Sequence, residues 1–290
     1  MTLIIGIKCI EGVLLVSDTK VTYPDGDFNY TNKILKPFAD APCLVAASGS
    51  ANLFQEFNRK IPILVRERIQ EITFKNIAYL KELKLDPREF IAITETEVQT
   101  EEPKKISEEK DKIEKPILPY LYTGEDFLDD CKKLVKEICD NNRHNDIDVF
   151  IALWYEREFS NSSLHHIYFD GSDVQVNNID AIGSGSYYAK YLLNKIKNKQ
   201  IGILEAASLA CFAIKHVETL KMDYGVGVAD NEFPQIACVS EDGRMGILPQ
   251  ESIKNIKEVF ENIDSTNLTF KKQYEELKIV PFESDLFKEN

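Results

Sequence analysis

The sequence contains no apolar run approaching the ~18 residues of a membrane-crossing helix, so a membrane partner is not expected. Its first residues, Met1-Thr-Leu-Ile-Ile-Gly6, lack the basic start of a signal peptide, and nothing there suggests export. Positive charge is scarce: 35 Lys and Arg stand against 48 Asp and Glu, a net charge of −13. So acidic a chain is poorly suited to gripping phosphate backbones, which argues against nucleic acid as a partner. No Cys-x-x-Cys, His-x-x-x-His or Glu-x-x-His occurs, so no metal site is expected. A Gly-x-Gly-x-x-Gly after a strand and a Walker loop are also missing, and Gly183-x-Gly185 alone is a weak phosphate signal. No cofactor is therefore expected. The six cysteines (Cys9, Cys43, Cys131, Cys139, Cys211 and Cys238) each lie in an apolar run. They read as buried free thiols of a chain in a reducing cytoplasm.

What is present is an ordinary folded composition: 290 residues, 43% hydrophobic and 29% charged, enough for one large domain or two small ones. Leu3–Cys9 and Val13–Ser17 are apolar runs around the turn signal Glu11-Gly12, and predict a hairpin. Asp25-Gly26 marks a further turn, and Lys33–Leu35 and Cys43–Ala47 read as short strands. Their nearly continuous apolar character predicts sheets covered on at least one face. Leu53, Phe54, Phe57, Ile61, Leu64, Val65 and Ile69 recur at helical steps, with Pro62 expected to kink or weaken that helix. Phe127 to Ile138 form a second helical stripe behind a capping start at Thr123-x-x-Asp126.

Residues 95–115 carry 13 charged residues in 21 and read as a solvated insertion, or else a lid or partner-binding arm. Asp148–Trp154 and His165–Phe169 then predict paired strands closed by Asp170-Gly171. Gly183-Ser-Gly-Ser186 opens a helix that carries Tyr187, Tyr191, Leu192 and Ile196. A helix follows from Leu204 to Val217, then a hairpin of Gln235–Ser240 with Met245–Leu248, then a short amphipathic helix around Ser252–Ile263. Strands and helices in separate groups argue an α+β architecture of stacked layers.

Three places carry possible chemistry. Thr2 heads a buried strand, and removal of Met1 would leave its hydroxyl beside its own α-amine. That pair is a self-contained nucleophile and base, with an amine that titrates near pH ~7.7–8.0 in model peptides. The alternative is an ordinary chain start. Ser17-Asp18-Thr19-Lys20-Val21-Thr22 clusters charges and hydroxyls where the second strand ends, and Asn32-Lys33-Ile34 opens the third. If these strands are neighbours, Asp18 and Lys33 meet near Thr2, and the lysine charge would lower the pKa of a nucleophile there. The alternative is a plain strand-end ion pair.

Taken together, these segments resemble the start of a proteasome β subunit, in the N-terminal-threonine branch of the Ntn hydrolases. The resemblance rests on Thr2-Leu-Ile-Ile-Gly-Ile7, Glu11-Gly-Val-Leu-Leu-Val-Ser-Asp18-Thr-Lys20-Val-Thr22, Lys33-Ile34 and Ala46-Ala-Ser-Gly-Ser-Ala51. It continues in Ile182-Gly-Ser-Gly-Ser186, Met222-Asp223-Tyr-Gly-Val-Gly227 and the Asp242-Gly243 turn, covering residues 2–70 and 123–262. It implies a four-layer αββα sandwich over 1–262, into which this chain places a charged insertion at about 84–122 that is not typical of the family, and a tail follows at 263–290. It further implies Thr2 as nucleophile, Lys33 held by Asp18, and Ser184 and Asp223 fixing the threonine amine. The oxyanion hole would come from a backbone N–H in Ala47-Ser48-Gly49, and Val21, Thr22 and Val45 would wall the substrate pocket. The chain departs from that pattern at Ser48, where the family usually has glycine, and at Val226, where a serine is expected.

The function this implies is a cytoplasmic threonine-type endopeptidase, acting on peptides or unfolded proteins, that forms homo-oligomers or associates with related subunits. Alternatives are a ligase passing the same acyl-enzyme to an amine, as in the connectases, an inactive structural homologue, and an Ntn hydrolase of small amides.

Overall fold

The computed structural model describes residues 2–22, 27–37, 43–82, 123–142, 146–155, 161–194, 200–219, 225–229 and 232–248, residue 256, and the pairs 263–264 and 269–270. Asp25-Gly26, the charged run at 95–115, Ile196, Asp223 and all but Ile256 and Ile263 of the helix expected around Ser252–Ile263 lie outside them.

The predicted hairpin forms from β1 (Ile4–Cys9) and β2 (Gly12–Ser17), in register from Ile4 opposite Ser17 to Cys9 opposite Gly12. Next come β3 (Lys20–Thr22) and β4 (Phe28–Tyr30), a two-stranded ribbon. Strands β5 (Ile34–Leu35) and β6 (Cys43–Gly49) pair antiparallel. Helix α1 (Ala51–Glu82) and helix α2 (Gly124–Asn141) follow. Strands β7 (Ile147–Tyr155), β8 (Asn161–Ile167) and β9 (Asp173–Gln175) form a meander. After β10 (Ile179–Ile182) come α3 (Ser186–Leu193) and α4 (Ile203–Thr219). The chain closes with the hairpin β11 (Gln235–Ser240) and β12 (Met245–Ile247), and a ribbon of β13 (Ile263–Asp264) and β14 (Thr269–Phe270).

Two five-stranded sheets carry the structure, ordered β10-β1-β2-β11-β12 and β5-β6-β7-β8-β9. The period-2 alternation of a strand splits β1 and β2 between two cores. Ile5, Ile7, Leu14 and Val16 face one, with Ala206, Ala207, Leu209 and Ala210 of α4. Small alanines let that helix lie close on the sheet. Ile4, Val13 and Leu15 face the other, where Leu44, Phe150, Ala152 and Leu164 of the second sheet meet them. Strands buried on both faces read as continuous apolar runs for this reason. Each fully buried Leu or Ile contributes roughly 1.5–3 kcal/mol.

The four-layer αββα sandwich expected from the sequence is corrected here. The described residues form a mixed α/β arrangement of antiparallel sheets and ribbons with four helices. Against the second sheet, α2 packs on β7. The chain falls into two compact units, one of 1–62 with 124–290 and one of 63–123, with the boundary directly after Pro62 within α1. In the first unit, Leu53, Phe57 and Ile61 are buried as their spacing predicts. In the second, Ile69 and Phe74 are exposed, and Glu71 pairs with Arg68 and Lys75 along a solvated helix face.

Helix α3 begins at Ser186, behind Gly183 and Gly185, as expected. Ala189 and Leu193 are its buried positions and Leu192 is half-buried, while Tyr187 and Tyr191 are 74% and 76% exposed. The apolar spacing was correct for a helix, but tyrosines do not reveal which face turns inward.

Candidate active site

Thr2 enters the first sheet just before β1 and is nearly fully buried. Its backbone is held from the segment after β10. The Ser184 hydroxyl accepts from the Thr2 N–H at 3.4 Å, and the Gly185 N–H donates to the Thr2 carbonyl at 3.5 Å. Gly183 makes this approach possible. It has φ +95°, and a Cβ there would lie 2.2 Å from the Thr2 carbonyl oxygen, so only glycine fits.

Lys33 and Asp18 do meet. The ammonium donates to Asp18 Oδ1 at 2.7 Å, with side chains 3% and 0% exposed, and also donates to the Lys20 carbonyl. The same Oδ1 accepts from the Leu3 N–H at 2.8 Å, which ties the ion pair to the residue beside Thr2. Asp18 Oδ2 accepts from the Gly227 N–H at 3.2 Å. Burial pushes the Asp18 carboxyl up to about 6, against the opposing pull of Lys33 and the two backbone N–H groups. Burial likewise lowers the Lys33 ammonium from its ordinary value, with Asp18 opposing.

A cavity of about 400 Å³ opens where these residues converge. Thr2, Lys33, Val21, Thr22, Ala47 and Gly49 all line it. Val45 and Ser48 do not. Alternation along β6 puts Ser48 on the opposite face, buried near Gly183, while Val45 shares the Ala47 face two residues further from the mouth. Gly49, at φ +118°, takes a backbone conformation that favours glycine. The pocket wall also carries Asn29, Asn32, Gln55 and Asn58, and the Thr22 hydroxyl is buried with no partner among the described residues. Two further contributors had no strong sequence signal: Gly227, through its backbone N–H, and Gln235, a single polar residue heading an apolar strand.

Among the described residues no group of His, Cys, Asp and Glu is arranged to hold a metal. All six cysteines are buried with free thiols. No helix of the described residues is long and apolar enough to cross a membrane.

The arrangement is thus a hydroxyl residue at a strand head sharing a cavity with a buried lysine that a carboxylate anchors. No protein-family model matches the chain, and no curated protein does. Solved structures with a similar fold include an Anbu (Gly-1) mutant from Hyphomicrobium sp. strain MC1, at 12% identity and TM-score 0.57, covering 90% of this chain and 94% of that one. Another is Anbu (ancestral beta-subunit) from Yersinia bercovieri, at 13% identity and TM-score 0.56, covering 96% of this chain and all of that one. The likeness is one of fold. It corrects the reading of the sequence as a proteasome β subunit, because the structures it resembles are Anbu proteins and no family model supports that narrower assignment. The motifs behind that reading specify a buried hairpin, a strand-end ion pair and a glycine turn, which are local needs of the fold and not marks of one family.

Proposed function

We propose that the chain is an N-terminal-threonine peptidase. Removal of Met1 frees the Thr2 amine. Thr2 Oγ then attacks the carbonyl carbon of a peptide bond, and its proton passes to the amine. The oxyanion formed accepts from a backbone N–H at Ala47–Gly49. Collapse breaks the C–N bond, the leaving amine takes the proton, and an ester acyl-enzyme remains for water to hydrolyse. Lys33, fixed by Asp18, keeps positive charge beside the nucleophile and lowers its pKa. Ser184 orients the amine, and Asp223 is its proposed partner in that role.

The observation that carries this reading is the buried Lys33–Asp18 pair, anchored through Leu3 N–H and opening on the cavity that Thr2 lines. A buried ion pair is weak evidence for stability alone, so its place at a cavity favours a chemical role. The test is an intact mass before and after a peptide epoxyketone, which bridges a threonine hydroxyl and its own amine. Loss of Met1 with a single adduct is expected, and Thr2→Ala should give none while remaining folded. Met1 retained without an adduct would overturn the reading. Adding an acceptor peptide to a turnover assay separates water from an amine as the second reactant.

We also propose that copies of the chain associate. The solvent-facing Tyr187 and Tyr191, one turn apart on α3, support this, since aromatics are enriched at interfaces.

A further inference from the structure

Strand β5 is two residues long and pairs with β6 along one edge only. Its other edge presents backbone groups that a neighbouring strand would ordinarily satisfy. No strand stands there among the described residues. One buried side chain takes its place. Gln235 Oε1 accepts from the Lys33 N–H at 2.8 Å and from the Ile34 N–H at 3.0 Å, and its Nε2 donates to the Ile34 carbonyl at 2.9 Å. The Ser17 hydroxyl donates to the same Oε1 at 3.4 Å. Gln235 itself lies in β11 opposite Ser17, in the other five-stranded sheet. One carboxamide therefore hooks the start of β5 onto the sheet that carries Thr2 and Asp18.

We infer that Gln235 is a positioning residue for the Lys33 ammonium, fixing the lysine backbone so that Nζ meets Asp18 beside Thr2. This rests on the reading above that Lys33 acts on Thr2. Lysine is a flexible four-carbon stem with a point charge at its tip. Here both ends are anchored: the backbone N–H by Gln235, and the ammonium by Asp18 Oδ1 and the Lys20 carbonyl. Loosening the backbone anchor leaves the tip free to drift from its acceptors. The amide suits the task because it offers both an acceptor for two N–H groups and a donor for a carbonyl. It does so without bringing a second carboxylate to compete with Asp18 for the lysine.

The test compares the native protein with Gln235→Leu and Gln235→Asn. The Lys33 ammonium is followed by nitrogen NMR on lysine-labelled protein as pH is varied, and epoxyketone inactivation is timed over inhibitor concentration. Gln235→Leu should shift the Lys33 resonance and its titration and slow maximal inactivation by between about 10- and 100-fold. The inhibitor concentration giving half-maximal rate should hardly move. Gln235→Asn keeps a neutral carboxamide one carbon further from β5, so it should recover part of the rate and give an intermediate Lys33 shift. An unchanged Lys33 resonance and titration in both variants, with only a lower melting temperature, would overturn the inference. If Gln235→Leu does not fold, the Lys33 signal of Gln235→Asn decides. If the native protein does not react with epoxyketone, the peptidase reading fails, and the Lys33 signal still decides whether Gln235 positions the lysine.

Discussion

At the scale of single residues, a lysine and an aspartate with almost no exposed side-chain surface dominate the energetics of the site. Each is costly to bury alone, and their mutual attraction with three added hydrogen bonds offsets that cost. Breaking the pair should therefore hurt more than removing it. Asp18→Ala is expected to destabilise the fold by about 3–5 kcal/mol, while Asp18→Ala with Lys33→Met should cost less, as measured by urea unfolding of all four members of the cycle. The pH dependence has opposite signs for stability and chemistry. Asp18 has a folded-state pKa raised to about 6 from its ordinary 3.8. The folded protein thus binds this proton more tightly than the unfolded chain, and the group's contribution to stability falls as pH rises through that window. If Lys33 held by Asp18 acts on Thr2 as proposed, activity needs the ionised carboxylate, and kcat/KM should fall as pH drops through about 6. A pH profile of Thr2 acylation checks the second half, and unfolding between pH 4 and 7 the first.

At the scale of elements, the site depends on how β10 and the turn after it deliver Ser184 to Thr2. Asp180 on β10 gathers His166 Nδ1 at 2.7 Å and Lys190 Nζ at 2.6 Å, joining β8 and α3 to this strand. Burial opposes the Asp180 charge, but those two hydrogen bonds prevail and hold its carboxyl down at about 2. The turn itself has no room for a side chain. Gly183→Ala should cost about 1–3 kcal/mol from its backbone conformation alone, with more from the clash on the Thr2 carbonyl. The expected result is a lower melting temperature together with a loss of Thr2 reactivity larger than the lost stability explains. Equal reactivity per folded molecule would show that this turn serves the fold only.

At the scale of the whole molecule, two antiparallel sheets share one core through Ile4, Leu15, Phe150 and Leu164, and α3 and α4 cover the far face of the first sheet. Tyr187 and Tyr191 remain outside both cores. If they seat a second copy, Tyr187→Lys with Tyr191→Lys should lower the mass measured by light scattering at unchanged helix content. A native protein that is already monomeric would remove that proposal and leave the chemistry of Thr2 untouched.

The amino-acid sequence by itself determined the parts whose cause is local or periodic. The β1–β2 hairpin follows from two apolar runs around a tight turn, and α2 and α4 from their three- and four-residue stripes. The meeting of Asp18 and Lys33 was legible because acid and base stand where one apolar strand gives out and another begins. The tertiary structure alone decided what depends on residues far apart in the chain. The edge strands β3, β4, β9 and β10 are too short for a pattern and exist because a neighbour offers them hydrogen bonds. The face that α3 buries was set by the sheet beneath it. Gln235 became part of the site only because β11 brings a lone carboxamide to the open edge of β5, 201 residues away from Ile34. No spacing rule reaches that distance, since the satisfaction of a buried backbone group is a demand of the assembled fold and not of the chain beside it.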